Sequence, residues 1–337
     1  ILTDDKSSEE EKNKAIEILD NWRASHSYPL HVFQMRLKNK AKKVDKNSLV
    51  AQRLKRVPAI IYKLKRGYHG HRPSMKLYQV QDLGGCRAIL PNVSLARKLF
   101  TEYYLKGDLK HKRVGFKDYI ENPKEEDGYR SIHIVYAYKS TYGKRGFNGL
   151  FTEIQIRSRL QHIWATAVET AGFFTRQAIK SNEGEPQWIK FFKLISSAFA
   201  KMENCPIVPN TPTDEKELYL EIKKIEKELK IINKMKGWKS AKQFLEQEIK
   251  SKKNVKFFLL ELDILGEKLM IKSYTEKEEQ KAINDYSTLE KRHNGSKDYD
   301  VVLVGAETTK DLKKAYPNYF VDIEDFLKHL EKIIGKY

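Results

Sequence analysis

Around Glu153 the chain reads Leu150-Phe-Thr-Glu-Ile-Gln-Ile-Arg. Period-two alternation there sets Glu153, Gln155 and Arg157 on one face of a strand, with Ile154 and Ile156 on the other. Strand surfaces favour β-branched and aromatic residues, so a face carrying Glu, Gln and Arg together suggests a task beyond meeting solvent. Asp82 precedes a second expected strand, 85–91, and stands at its edge, where a metal ligand could sit. Two carboxylates from neighbouring strands suit one Mg2+ ion, which takes oxygen ligands, keeps several waters and bridges to substrate phosphates. The plain alternative is two separate surface acids. Arg53, Lys55 and Lys63 lie on the basic segment before this strand. Positions 55 and 63 are two helical turns apart and can share a side, with Arg53 reaching the same place from a loop, so the trio could grip a triphosphate. The segment from Lys117 to Tyr129 combines Lys117, Tyr119, Lys124 and Tyr129 with Pro123 and Gly128. That is the make-up of a loop that stacks on a base and touches phosphate, although loop tyrosines also serve as packing anchors.

The elements that position these groups belong to a chain of 337 residues with a net charge of +19. Its length suggests two domains, each with a core of its own. Forty per cent hydrophobic residues exclude a disordered or fibrous chain. With no apolar stretch near the ~20 residues that span a bilayer and no leader-like N-terminus, a soluble, unsecreted protein is expected. Cys86 and Cys205 are too few for a disulfide framework, which fits a reducing cytoplasm. The charge is concentrated. From Arg36 to Lys76 there are fourteen basic residues against Asp45 alone, +13 of the total, and Lys106 to Lys117 adds five against Asp108. Such density points to a polyanion partner, because each neutralised phosphate releases counterions, whereas the ordinary alternative is a solvated helix face.

Helical spacing is expected over 8–25, from Pro29 to about Lys46, from Arg56 to Arg66, over 95–105, 158–176 and 187–203, with strands at 86–90, 131–138 and 150–157. The fold class that follows is α+β, with a mixed central β-sheet flanked by helices. Pro206, Pro209 and Pro212 break the pattern between Asn204 and Thr213, the best candidate for a boundary or hinge. Beyond it are expected charged helices over 214–235 and 239–250, a strand pair around Gly266, a helix over 275–292, a strand at Asp300 and a closing helix from about 322. Three parts result: 1–203, a linker over 204–250, and a small α/β C-terminal domain over 251–337.

Gln81-Asp-Leu-Gly-Gly-Cys-Arg-Ala-Ile, Lys117-Asp-Tyr-Ile-Glu-Asn-Pro-Lys, Gly128-Tyr-Arg-Ser-Ile-His and Glu153-Ile-Gln-Ile-Arg with Gln161-His-Ile-Trp-Ala resemble the successive synthetase motifs of the RelA/SpoT nucleotidyltransferase family. Arg53-Leu-Lys-Arg with Lys63 is similar to its ATP-phosphate motif. The resemblance covers about residues 10–200. It implies transfer of the β,γ-diphosphate of ATP to a ribose hydroxyl, with AMP leaving. It further implies Asp82 and Glu153 as Mg2+ ligands, Glu153 also activating the acceptor hydroxyl, with Tyr119 among the catalytic group. Arg53, Lys55 and Lys63 would hold ATP, and Lys117, Tyr119, Lys124, Tyr129 and His133 would line the acceptor side. Gln155, Arg157 and Arg87 are further candidates. In-line positioning, a bridging metal and facing cations are what this reaction needs.

The acceptor is a separate choice. Where alarmone synthetases usually read Asn-Gly-Tyr, this chain reads Asp127-Gly128-Tyr129, a negative charge that disfavours GDP, and the basic surplus favours a long polyanion such as tRNA. Val301-Val-Leu-Val-Gly and Ala315-Tyr-Pro-Asn-Tyr-Phe resemble the regulatory part of CapRel-type fused toxin–antitoxin proteins. That resemblance implies that Tyr316 and Tyr319 reach the ATP site and keep the enzyme closed until a phage protein, such as a capsid protein, opens it. The reading is an autoinhibited toxin of anti-phage defence that pyrophosphorylates the 3′-hydroxyl of the tRNA CCA end. Its alternatives are an alarmone synthetase acting on GDP, GTP or an adenine nucleotide, and an inactive RNA-binding module.

Overall fold

The computed structural model describes residues 7–55, 57–65, 75–107, 109–140, 142–174, 186–239, 255–263, 268–293, 298–305 and 319–337. They form two compact units, one of 1–122 with 130–159, the other of 123–129 with 160–337.

The first unit opens with α1 (Glu9–Ser25), started by a capping box in which Ser8 and Glu11 each bond the other's backbone N–H. After it come α2 (Ser27–Val44), β1 (Leu49–Leu54), α3 (Val57–Lys65), β2 (Gly84–Leu90) and α4 (Val93–Phe100). The strands β3 (Lys112–Asp118), β4 (Ile132–Ala137) and β5 (Phe151–Ser158) complete it. The sheet order is β1-β2-β5-β4-β3. The β2–β5 pair is parallel, and the β1–β2, β4–β5 and β3–β4 pairs are antiparallel, which makes the sheet mixed as expected. One sheet face is dry: Cys86, Ala88, Ile132, Ile134, Ile154 and Ile156 are buried, and α2 lays Phe33 against Tyr136 on that side. The other face carries the half-buried polar residues.

Two strands differ from the sequence expectation. The run before Lys55 is β1, not a loop, and the basic run is β3 rather than the start of a loop. β1 and β3 form the sheet's edges and β3 is exposed on both faces, so neither shows the alternation that announces a half-buried strand. The helix expected from Arg56 begins at Val57, with Pro58 in its first turn where a missing N–H costs nothing; Lys55 therefore stands outside it.

In the second unit, α5 (Arg159–Phe174, grouped here from Leu160), α6 (Pro186–Met202), α7 (Glu215–Leu229) and α8 (helical residues 231–239) precede a three-stranded antiparallel sheet. Its strands are β6 (Val255–Asp263), β7 (Lys268–Thr275) and β8 (Tyr299–Gly305), ordered β7-β6-β8, with α9 (Glu279–Arg292) between β7 and β8 and α10 (Tyr319–Ile334) last. The helix expected to run through 214–235 breaks at Lys230, whose φ of 52° caps α7 in the left-handed region. One core joins α5, α6, α7 and α10: Trp188 stacks on Phe192 and Trp238, and Phe326 of α10 meets Phe192 and Phe199. Ile323, Phe326, Leu327, Leu330 and Ile333 bury one whole face of α10 there, on the order of 10 kcal/mol of apolar burial as an upper bound. The Pro206–Pro212 stretch lies inside this unit, strapped to α6: Val208 N donates to Ser197 Oγ at 2.9 Å, and Lys201 Nζ donates to Thr213 O at 2.6 Å. No helix among the described residues is long and apolar enough to cross a membrane.

Candidate active site

Strand register assembles the site. Paired residues share a face, so Arg53, Gly85, Glu153 and Val135 form one row across β1, β2, β5 and β4. The next row is Ala51, Arg87, Gln155, His133 and Lys117. Two rows of one sheet face thus hold Arg53, Arg87, Glu153, Gln155, His133 and Lys117, residues drawn from five strands.

Glu153 is locked in place. Its Oε1 lies 3.0 Å from His133 Nδ1, and its Oε2 accepts a 2.7 Å bond from Gln155 Nε2. Burial opposes its ionisation, but the His133 charge and the two hydrogen bonds outweigh burial and hold the carboxyl below its ordinary value, even with Asp82 acting in the other direction. His133 in turn meets Tyr119 edge to face, ring centroids 5.3 Å apart. Tyr119 is held by a turn in which Asp118 Oδ1 accepts the N–H groups of Ile120 and Glu121, while Arg97 of α4 pairs with Asp118 at 2.5 Å and Glu121 at 2.9 Å.

Asp82 sits just before β2 with both oxygens engaged, Oδ2 by Lys55 Nζ at 2.7 Å and Oδ1 by Lys63 Nζ at 2.9 Å. The two lysines converge as expected, though by another route: Lys55 follows β1 and Lys63 comes from α3. Arg23 of α1 fixes the first of them by donating to Lys55 O at 2.7 Å, a contact no sequence pattern announces. Burial would raise the Asp82 pKa, but the two ammonium groups bring it down to about 2. A carboxylate depressed in this way contributes stability that is complete above its unfolded value near 4 and is lost as pH falls through about 2.

Among the described residues, no group of three or more His, Cys, Asp or Glu gathers to hold a metal. Asp82, just before β2, and Glu153, on the neighbouring strand β5, offer a donor set of two carboxylates, which suits a different kind of site, a magnesium ion whose remaining ligands would be phosphates and waters. Arg157 also lies on β5 and is buried.

Lys124 and Tyr129 belong to the second unit, where Lys124 Nζ lies 5.4 Å from the Tyr129 ring centroid. Their loop turns on Gly128, whose φ is +79° and whose carbonyl accepts from Ser196 Oγ at 2.6 Å. A Cβ there would lie 3.1 Å from both Lys193 Cα and Ser196 Cβ. Gly128→Ala should therefore cost about 1–3 kcal/mol, read as a lowered thermal midpoint; an unchanged midpoint would show that the loop relaxes freely. Asp127 is buried and its Oδ1 accepts from Tyr129 N at 2.9 Å, so its carboxylate shapes this turn. Tyr316 lies outside the described residues, as does the side chain of Tyr319 at the start of α10.

Comparison with known proteins agrees with the motif order. The family model described as “Region found in RelA / SpoT proteins” matches residues 52–174, which include every candidate from Arg53 to Arg157. No curated protein matches the chain. Among solved structures, small alarmone synthetase 1 from Bacillus subtilis is similar at 21% identity, covering 55% of this chain and 92% of its own, with a TM-score of 0.44. The same protein bound to its product pppGpp gives 21% identity, the same coverages and a TM-score of 0.43. A GTP pyrophosphokinase family protein from Streptococcus pneumoniae gives 20%, 57%, 90% and 0.42.

Proposed function

We propose, from the RelA/SpoT region that residues 52–174 carry, that this chain is an ATP-dependent pyrophosphokinase. The observation that carries the reading is the pairing of Asp82 with Lys55 and Lys63 beside the register row that holds Arg53 and Glu153. In the proposed reaction a ribose hydroxyl oxygen attacks the β-phosphorus of ATP, the bond from Pβ to the oxygen bridging it to Pα breaks, AMP leaves and the hydroxyl proton is released. Arg53, Lys55 and Lys63 bind the phosphates and offset the charge that develops on them. Glu153, oriented by His133 and Gln155, takes the acceptor proton. Asp82 and Glu153 would hold Mg2+, which when bound supplies charge neutralisation across the phosphate oxygens. Lys117, Tyr119, Lys124, Tyr129 and His133 keep the acceptor-side roles that their motifs imply.

The acceptor in this proposal is the 3′-hydroxyl of the tRNA CCA end, for which the +19 charge speaks. The protein is then a toxin held closed through Tyr316 and Tyr319 and opened by a phage protein, with the three-part division at 203/204 and 250/251 as its organisation. A guanine-nucleotide acceptor has one observation in its favour: the Asp127 carboxylate is bonded to the Tyr129 N–H, which weakens the charge argument against GDP. Incubation with ATP labelled at the γ-phosphate and deacylated tRNA, GDP or GTP decides between them. Label on tRNA supports the toxin, label on GDP or GTP replaces it with an alarmone synthetase, and absence of ATP binding in both wild type and Tyr319→Ala removes both. Under the closed-state proposal, Tyr319→Ala raises toxicity on induction in cells. Unchanged growth would count against autoinhibition.

A further inference from the structure

Two adjacent glycines open β2 and face opposite sides of the sheet. A Cβ on Gly84 would lie 3.4 Å from Leu30 Cβ and 3.6 Å from His26 Cβ, against α2, whereas on Gly85 the nearest atom would be the Glu153 carbonyl oxygen at 3.9 Å. Neither glycine has a positive φ, so neither position needs glycine for its backbone conformation. At Gly84 a Cβ would be in ordinary contact with the packed helix. Nothing in the fold accounts for Gly85, and a glycine inside a strand costs about 0.5–1 kcal/mol relative to alanine.

Register supplies the missing reason. Gly85 pairs with Arg53 on β1 and with Glu153 on β5, so a position without a side chain lies between a guanidinium and a locked carboxylate. Asp82, with Lys55 and Lys63, stands three residues earlier on the same chain segment. Interior strand glycines often mark the close approach of a ligand, and here both flanks carry the charges that a phosphate and its attacking hydroxyl require. We propose that Gly85 is a positioning residue whose missing side chain leaves the floor over which the transferred diphosphate lies, between Arg53 and Glu153. The inference rests on the pyrophosphokinase reading for its ligand and on register and open space for its place. A Cβ at 85 would meet nothing closer than the Glu153 carbonyl oxygen at 3.9 Å, so a side chain there would rise between the two charged groups and hold the phosphates off the face.

A graded series tests it on the full chain, with affinity for a non-hydrolysable ATP analogue, transfer from labelled ATP and thermal midpoint measured for each variant. Gly85→Ala should weaken analogue binding about 10-fold and Gly85→Leu about 100-fold, with KM for ATP rising in step, while both midpoints stay within about 2 °C of wild type. Gly84→Leu, built against α2, should instead lower the midpoint. A Gly85→Leu protein that binds and turns over like wild type overturns the proposal, as does a loss of binding that follows the midpoint rather than side-chain size. If the analogue binds but neither wild type nor Tyr319→Ala, which the closed-state proposal leaves open, labels an acceptor, the pyrophosphokinase reading is removed and the binding series decides Gly85. Failure of both wild type and Tyr319→Ala to bind the analogue removes both.

Discussion

Glu153→Gln is expected to lower pyrophosphate transfer by about 10³-fold while leaving the chain folded. The substitution removes the charge that accepts the hydroxyl proton, a loss of about 10²–10⁴ for a positioned base. It also puts an amide where two donors now converge, because His133 and Gln155 approach the two carboxylate oxygens. One local rotation restores one of those bonds, so stability should fall by only about 1 kcal/mol. Asp82→Asn should also stop transfer, with a different binding signature. Lys55 and Lys63 are both spent on Asp82 in the free protein and would no longer have to leave a carboxylate to reach phosphate. Metal-free ATP should therefore bind the Asp82→Asn protein at least as tightly as wild type. Equilibrium binding in chelator and turnover in magnesium separate the two effects. Full activity in either variant would remove the metal-site assignment. Since both carboxyls are held below their ordinary values, neither should produce an acid limb in the rate profile between about pH 5 and 8.

The second large effect concerns stability. His162, in the Gln161-His-Ile-Trp motif of α5, places Nε2 3.0 Å from Oδ2 of Asp322 on α10, with the histidine side chain 4% exposed and the aspartate 0%. Removing the two partners should not cost the same. His162→Leu removes a charge-pairing contact from a carboxylate that is fully buried, and about 3–5 kcal/mol should be lost. Asp322→Leu leaves a buried imidazole without this contact, and an imidazole costs less to bury than a carboxylate, so about 1–3 kcal/mol is expected. The double substitution should recover much of the first loss, because a buried pair replaced by apolar residues of similar volume is often close to neutral. Denaturant midpoints of the four proteins give the cycle. A His162→Leu loss under 1 kcal/mol would show that the pair contributes little to holding α10.

Much of the site is legible without the fold, and the reasons for the misses are physical. β5 announces itself because one of its faces is dry and the other holds Glu153 and Gln155, which is what alternation records. β1 and β3 do not, since edge strands with charged or exposed side chains leave no such trace, and Arg53 reads as a loop residue in consequence. Helical spacing brings Lys55 and Lys63 together correctly but by the wrong route, because Pro58 starts the helix too late for Lys55 to join it. The contact between His133 and Glu153 depends on which strand lies beside β5, and pairing between strands distant in sequence is invisible to any local pattern. The emptiness over Gly85 is of the same kind, since the sequence shows the glycine and only the register shows what flanks it.

The pairing of His162 with Asp322 also has a meaning in time. The last strand of the five-stranded sheet ends at Ser158, and the aspartate that meets His162 is made about 160 residues later. At about 5–20 residues per second, a ribosome holds the chain in that interval for roughly 10–30 s. Through it Asp82 and the five strands of the sheet that holds Glu153 have all been synthesised, while α5 and α6 still lack the helix that covers their apolar faces. A half-made chain therefore holds every strand of its five-stranded sheet together with an uncovered core, a vulnerable period for the protein if proteases reach it first.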